Sequence, residues 1–399
     1  MLELMIDYDV IVVGAGPAGS MAAKYAQSNG ARVLMIEEHS SVGEPVQCSG
    51  LISVRAYEGC EVPNSLDKRG VRGANLHAPD GRTISIDGTK TMAYVIDRRE
   101  LDRAMALEAI RAGVESLVKT RFTNFKREGK HIVVKAISQG EPTEIRTSVL
   151  IGADGVQSSV GRAAGIGRVK KVTTCVQSEA YVELDGGDFV DLFVGREIAP
   201  GFFAWSIPTK ENTVRIGLCS NGRAIDHLNL LMKKVFPSYP APLLNFFTGS
   251  IPFGPPESTV ADGVMLVGDA AGQVKPTSGG GIYTGAVCAK IAGEVAADAA
   301  NRHDTSKKAL AEYDRRWRSK IGRELLIGLR VHEAWNKLSD ADFNDVVAAL
   351  DDERVLDTIT RYGDMDRPSL VLRRLLLSTK APRLLTLLKP LIKVGFRSD

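Results

Sequence analysis

The stretch whose reading decides the fold is Asp9–Glu37, DVIVVGAGPAGSMAAKYAQSNGARVLMIE. An apolar β-branched run, Val10–Val13, leads into Gly14-Ala15-Gly16-Pro17-Ala18-Gly19. A helical pattern follows from Pro17 to about Ser28, and a second apolar run, Arg32–Ile36, closes on Glu37. The order is strand, glycine turn, helix, strand. In that arrangement Gly14 makes the tight turn, Gly16 lets backbone approach a pyrophosphate, and Gly19 lets helix pack on strand. Pro17 suits a first helical turn, where its missing N–H would be unpaired anyway. The helix start, with Ala18 inside the turn, aims free N–H groups and a partial positive charge at an anion. Glu37 lies roughly 20 residues on, where a carboxylate accepts from ribose hydroxyls and repels a 2′-phosphate. A bound dinucleotide is the expectation.

Working outward, 399 residues suffice for two or three domains with sizeable cores. A net charge of +3 gives no argument for nucleic acid, and none is expected as a partner. The five cysteines, Cys48, Cys60, Cys175, Cys219 and Cys288, are scattered and odd in number. They imply neither a disulfide framework nor a CxxC metal pair. The N-terminus lacks a signal-peptide pattern, and no run of about 18 apolar residues occurs. A cytoplasmic protein is expected.

Beyond Glu37 the segment EHSSVGEPVQCSGLIS reads as a polar loop carrying Cys48, with His39 as an exposed loop histidine. Weak alternation between about Gly70 and Thr91, with Asp80-Gly81, reads as a hairpin. Asp97–Arg111 has helical spacing, with Leu101, Ala104, Met105 and Leu107 on the apolar side. Val114–Thr120 and His131–Ile137 read as strands joined by a charged turn. Val149–Gly155 is a buried strand ending in an acid and glycine, and Ser158 or Ser159 caps the following helix. From about Lys171 to Gly217 the grammar changes to alternating strands with aromatics, which predicts an antiparallel sheet. The α/β pattern returns at Val264–Asp269, followed by a glycine loop, a long alanine-rich helix over Ile282–Ala300 and a helical remainder.

Three separated segments, Gly14–Glu37, Ala153–Gly155 and Val267–Ala270, stand in the order of FAD enzymes similar to p-hydroxybenzoate hydroxylase. Within that superfamily the chain most resembles the archaeal geranylgeranyl reductases, including digeranylgeranylglycerophospholipid reductase. The residues that carry the resemblance are Pro45–Cys48, Tyr94–Asp102, Asp154–Arg162, Leu192–Pro208 and Gly268–Ile282. Two positions depart from the reductase pattern. Cys48 is followed by Ser49-Gly50-Leu51 rather than Gly/Ala-Glu-Gly, and Phe203-Ala204-Trp205-Ser206-Ile207-Pro208 stands for Tyr-x-Trp-x-Phe-Pro. Another isoprenoid substrate therefore stays open.

The resemblance implies an α/β fold, α+β overall. It has a Rossmann-like FAD-binding domain (1–70, 92–168 and 258–305), an antiparallel-sheet substrate domain (71–91 and 169–257) and a helical C-terminal region (306–399). It also implies that Asp269 binds a ribityl hydroxyl of FAD, while Gly279, Gly280 and Gly281 let backbone pass the isoalloxazine. The helix opening at Ile282 would then point at the ring. Arg98 would contact the diphosphate or ribityl region, Phe122 the adenine side through its backbone, and Cys48 and Ser49 the flavin pocket. Cys48 is the catalytic candidate; a packed thiol is the other reading. Phe203 and Trp205 share a strand face and could wall an apolar tunnel, or serve as ordinary sheet core. No metal is expected.

The implied activity is FAD-dependent reduction of geranylgeranyl double bonds in a prenylated lipid, with ferredoxin, deazaflavin or NAD(P)H as external electron donor. Rival readings are an aromatic monooxygenase, a flavoprotein dehydrogenase and a non-catalytic prenyl-binding escort. Arg367–Arg397 carries eight basic residues, no acid and many leucines, broken by Pro382 and Pro390. Such segments suit an anionic lipid surface, so peripheral contact with the inner face of the membrane is expected, a helical cap being the alternative.

Overall fold

The computed structural model describes residues 7–181, 187–209, 212–236 and 243–378. Of the basic tail, Lys380, Arg383, Lys389, Lys393 and Arg397 lie outside the described residues, as do Pro382 and Pro390.

The strand Tyr8–Val13 sits at the centre of an eight-stranded sheet, parallel to Val33–Ile36 on one side and to Glu141–Gly152 on the other. Because its residues are buried on both faces, it reads as a continuous apolar run. The two-residue period divides them: Val10 and Val12 join one core cluster, Ile11 and Val13 another. The first cluster is filled by the helices Pro17–Ser28, Arg98–Arg111, Ile282–Asn301 and Lys307–Trp317. The second is covered by an antiparallel extension, Thr120–Glu128 and His131–Ser138, which pairs onto the first half of Glu141–Gly152. Helices, parallel sheet and antiparallel sheet thus form three layers, a mixed α/β architecture with a Rossmann-like centre.

A second, seven-stranded sheet takes two strands from Gly73–His77 and Thr83–Asp87 and five between Lys171 and Phe253. It is antiparallel, as expected, with one local departure where Phe189–Phe193 runs parallel to Gly73–His77. The reason is topological, since the early hairpin is inserted beside a strand from much later in the chain. A third sheet pairs Ala93–Ile96 with Leu51–Ser53 and Lys68–Val71.

Four local expectations are corrected. Leu51–Ser53 is a strand inside the segment read as loop, because Ala93–Ile96 supplies its partner. Thr120–Glu128 is a strand where a charged turn was expected; its charges face water while Phe122 turns inward. On Arg98–Arg111 the buried residues include Leu101, Met105 and Ala109, whereas Leu107 is exposed. Cys175 and Cys219 form a disulfide across adjacent strands, because register places them opposite each other despite a sequence separation of 44.

The C-terminal helices close the molecule over both sheets. Leu310, Tyr313 and Trp317 of Lys307–Trp317 are fully buried in the first core. Phe343 and Val347 of Asp340–Leu350 pack on Ala78, Ile84 and Val194 of the second sheet region. Among the described residues no helix is long and apolar enough to cross a membrane.

Candidate functional site

The glycine turn is held by contacts that leave no room for side chains. Gly14 has φ +102°, and a Cβ on it would lie 2.4 Å from the Ala153 carbonyl oxygen. A Cβ on Gly19 would lie 1.8 Å from the Gly14 carbonyl oxygen. Around Gly16, by contrast, a Cβ would meet nothing within 4 Å, so that backbone faces open space. Gly16 caps the helix Pro17–Ser28 without a side-chain hydrogen bond, leaving the first-turn N–H groups free for a ligand. The Glu37 carboxylate braces the turn. Its Oε2 accepts from Ala15 N at 2.9 Å and its Oε1 from His39 N at 3.0 Å, which ties the strand end to the turn. His39 is exposed, with Nδ1 2.7 Å from the same carboxylate.

The Cys48 loop crosses to the second sheet and is pinned by it. Gln177 Nε2 donates to the Cys48 carbonyl at 2.9 Å, and Arg215 Nη1 donates to that of Ser49 at 2.7 Å. Cys60 and Cys288 are buried, and burial pushes the Cys60 thiol up to about 12. Cys48 is thus the partly exposed free thiol among the described residues, and it lines the cavity. Beside it stands Arg98, whose Nε and Nη2 grip Asp102 at 3.1 and 2.9 Å. Burial opposes the guanidinium's charge, but Asp102 outweighs it and holds Arg98 firmly cationic. Arg98 also faces Asp269, whose carboxyl burial pushes up to about 6 while Arg98 pulls it back. Among the described residues no side chain or backbone N–H donates to the Asp269 carboxylate.

Asp269 sits in the turn Gly268–Ala271, which a buried network fixes. Gln273 Oε1 accepts from Gly268 N at 2.9 Å, and its Nε2 donates to Tyr313 Oη, which donates in turn to the Leu266 carbonyl. Lys275 then closes the glycine loop through its backbone: Gly279 N donates to its carbonyl at 2.9 Å. Its ammonium is buried against Asp366 at 2.5 Å, and Asp366 also accepts from Ser53 Oγ. Gly281 caps Ile282–Asn301 with no side-chain partner, so a second helix start opens with free N–H groups.

These parts surround one cavity of about 840 Å³. Gly16 and Ala18 border it at the turn, and Cys48, Ser49 and Arg98 along the loop. Asp269, Gly280, Gly281 and Ile282 form another wall. Phe203 and Trp205 line it together, their rings 6.1 Å apart and edge to face, with Phe202 stacked on Phe203 at 4.5 Å. Gly14, Gly19 and Glu37 stand behind the turn rather than on the cavity surface. Phe122 does not line this cavity: its side chain faces inward from Thr120–Glu128 and packs with Ile132 and Val134, so any contact with the adenine side would be made by its backbone.

Sequence reasoning passed over Gln177, Gln273, Lys275 and Asp366. Lys275 sat unremarked within the quoted glycine motif, but nothing local pairs it with Asp366, 91 residues away.

The cavity fits FAD on its own chemistry. It offers a side-chain-free turn at Gly16, two uncapped helix starts and a carboxylate at Asp269. Two buried polar atoms on its walls, Gln177 Oε1 and Trp205 Nε1, have no hydrogen-bond partner among the described residues, as expected of groups that await a polar ligand. Among the described residues no group of His, Cys, Asp and Glu could hold a metal.

Comparison with known proteins agrees with this geometry. An FAD binding domain family matches residues 7–223. Digeranylgeranylglycerophospholipid reductase of Methanothrix thermoacetophila is 38% identical over 87% of this chain and 92% of its own. The same-named protein of Methanocaldococcus jannaschii is 36% identical over 88% of this chain and 92% of its own. Among solved structures, a geranylgeranyl bacteriochlorophyll reductase-like protein from Thermoplasma acidophilum superposes with a TM-score of 0.85 at 25% identity, covering 97% of this chain and 100% of that one.

Proposed function

The chain belongs to the digeranylgeranylglycerophospholipid reductase family of FAD-dependent oxidoreductases, and from that membership we propose that it hydrogenates geranylgeranyl double bonds in archaeal membrane lipid precursors such as digeranylgeranylglycerophospholipid. The observation that carries the reading is continuity. One cavity runs from the glycine turn at Gly16 to the aromatic wall of Phe202, Phe203 and Trp205.

Bound FAD supplies the hydride chemistry that no side chain can. Gly16, Ala18 and the free N–H groups behind them would hold its diphosphate, Asp269 a ribityl hydroxyl, and Gly280, Gly281 and Ile282 the ring end. An isolated alkene develops no oxyanion for the protein to stabilise. Rate must therefore come from positioning the chain against the cofactor in a water-poor space, which the aromatic wall provides. Cys48 and Ser49 line the cavity, where they would border the cofactor and the prenyl chain, and Cys48 is the proposed catalytic group. An external electron donor is required, with ferredoxin, deazaflavin and NAD(P)H as the classes to try.

A prenylated phospholipid is nearly insoluble, so the enzyme needs interfacial access. The basic, leucine-rich segment from Arg367 onward is the proposed contact with anionic membrane. Truncation before Arg367 should abolish salt-sensitive sedimentation with anionic vesicles; equal sedimentation of a folded, FAD-loaded truncated protein would refute the contact. The activity itself is tested by mass spectrometry of lipids from a host that makes unsaturated archaeal lipids and expresses this chain. Gain of two hydrogens per reduced bond is expected, and unchanged lipids would count against the reading.

A further inference from the structure

Beside the large cavity lies a second, of about 490 Å³, and the two share a wall made by Gly363 and Asp364. The helices Glu353–Tyr362 and Pro368–Ser378 bring three guanidinium groups to it, those of Arg361, Arg373 and Arg374. The nearby acids are already engaged. Asp364 meets Arg55 at 2.9 Å and accepts from the backbone N–H groups of Asp366 and Arg367. Asp357 meets Arg361 at 2.8 Å. Among the described residues neither Arg373 nor Arg374 meets a carboxylate. Arg374 is held over the Tyr362 ring at 4.7 Å, which fixes its position at the pocket. Surplus positive charge therefore sits at the edge of an apolar cavity. Tyr362, Met365 and Leu370 add exposed apolar surface around it.

We infer that this arginine pocket binds the phosphate of a glycerophospholipid whose prenyl chains enter the adjoining cavity. The inference rests on reading that cavity as a prenyl-lipid site. In such a lipid the phosphate is separated from the chains by one glycerol unit, so a chain entering the large cavity leaves its phosphate close to the mouth. Met365 lines the large cavity and Asp364 lines both, which puts the arginines on the pocket that adjoins it. Guanidinium pairs are suited to phosphate because their donors match its oxygens two at a time. The pocket would then select phosphorylated prenyl lipids over neutral ones and set which end of the lipid stays outside.

The test uses the full, FAD-loaded chain in neutral detergent micelles. It is titrated with digeranylgeranylglyceryl phosphate and, separately, with the same lipid lacking the phosphate, with binding read by tryptophan quenching. For the Arg373→Gln/Arg374→Gln double variant, affinity for the phosphate lipid should fall about tenfold or more, as for lost charge-assisted hydrogen bonds. Affinity for the neutral lipid should change less than about twofold. Equal affinities in the unmodified protein, or equal losses in the variant, would overturn the inference while leaving the prenyl-lipid reading intact. Failure of the unmodified protein to bind either lipid would instead overturn that reading, and the inference with it. Loss of anionic-vesicle sedimentation in the variant, with unchanged micelle affinities, would assign the pocket to the bilayer surface and overturn the inference.

Discussion

On the proposed reading, Asp269 serves cofactor binding and Cys48 serves turnover. Burial raises the Asp269 carboxyl to about 6 in the protein without cofactor. The sign follows from which form the ligand needs. A carboxylate accepts from a ribityl hydroxyl, so binding favours the ionised form and must remove a proton below pH 6. FAD affinity should therefore fall by up to about tenfold per pH unit below 6, and Asp269→Asn should flatten that profile. The cofactor-free protein should show the opposite trend in stability, losing some as the pH rises from the ordinary aspartate range through 6. Fluorescence titration of FAD at pH 5 and pH 7 checks the first point; a flat profile in the unmodified protein would contradict it. Cys48 stands beside Arg98 and on the cavity wall. Cys48→Ser should keep FAD bound but slow prenyl reduction or change where it stops. An unchanged rate and product distribution would make Cys48 a packing residue.

At the scale of elements, what is legible depends on how local the determining contacts are. Asp9–Glu37 could be read because strand, turn, helix and strand follow one another within the chain, and the helix Pro17–Ser28 has the bounds its periodicity predicts. Thr120–Glu128 could not, because a strand that turns charged residues to water looks like a polar turn until His131–Ser138 pairs with it. The Cys175–Cys219 bridge needed the register of two strands, and the Lys275–Asp366 pair needed the C-terminal helices folded back over the glycine loop. That pair joins two elements the site depends on, and its side chains are only 9% and 1% exposed. Asp366→Asn would leave the Lys275 ammonium buried without its partner, a change that typically costs about 3–5 kcal/mol. The double variant Lys275→Met/Asp366→Leu should recover much of that loss in urea unfolding. Additive losses would show that the pair matters through something other than its mutual charge.

For the whole molecule, the change from α/β grammar to alternating strands near Lys171 made two kinds of sheet visible before any contact was known. What could not be seen was that the C-terminal helices complete the cavity. Ile359, Thr360, Gly363 and Met365 border it, far in sequence from the glycine turn on the opposite wall. The assembled object is one space with a cofactor-binding end and an apolar end, built from all three parts of the chain. On the proposed function the two ends together serve reduction of a prenyl double bond. The most direct measurement takes the purified FAD-loaded protein, reduced with dithionite under anaerobic conditions, and incubates it with digeranylgeranylglyceryl phosphate in neutral micelles. Mass spectrometry should show lipid heavier in steps of two hydrogens, with no oxygen added. Lipid that stays unchanged without air, or gains oxygen when air and a nicotinamide are supplied, would contradict the account.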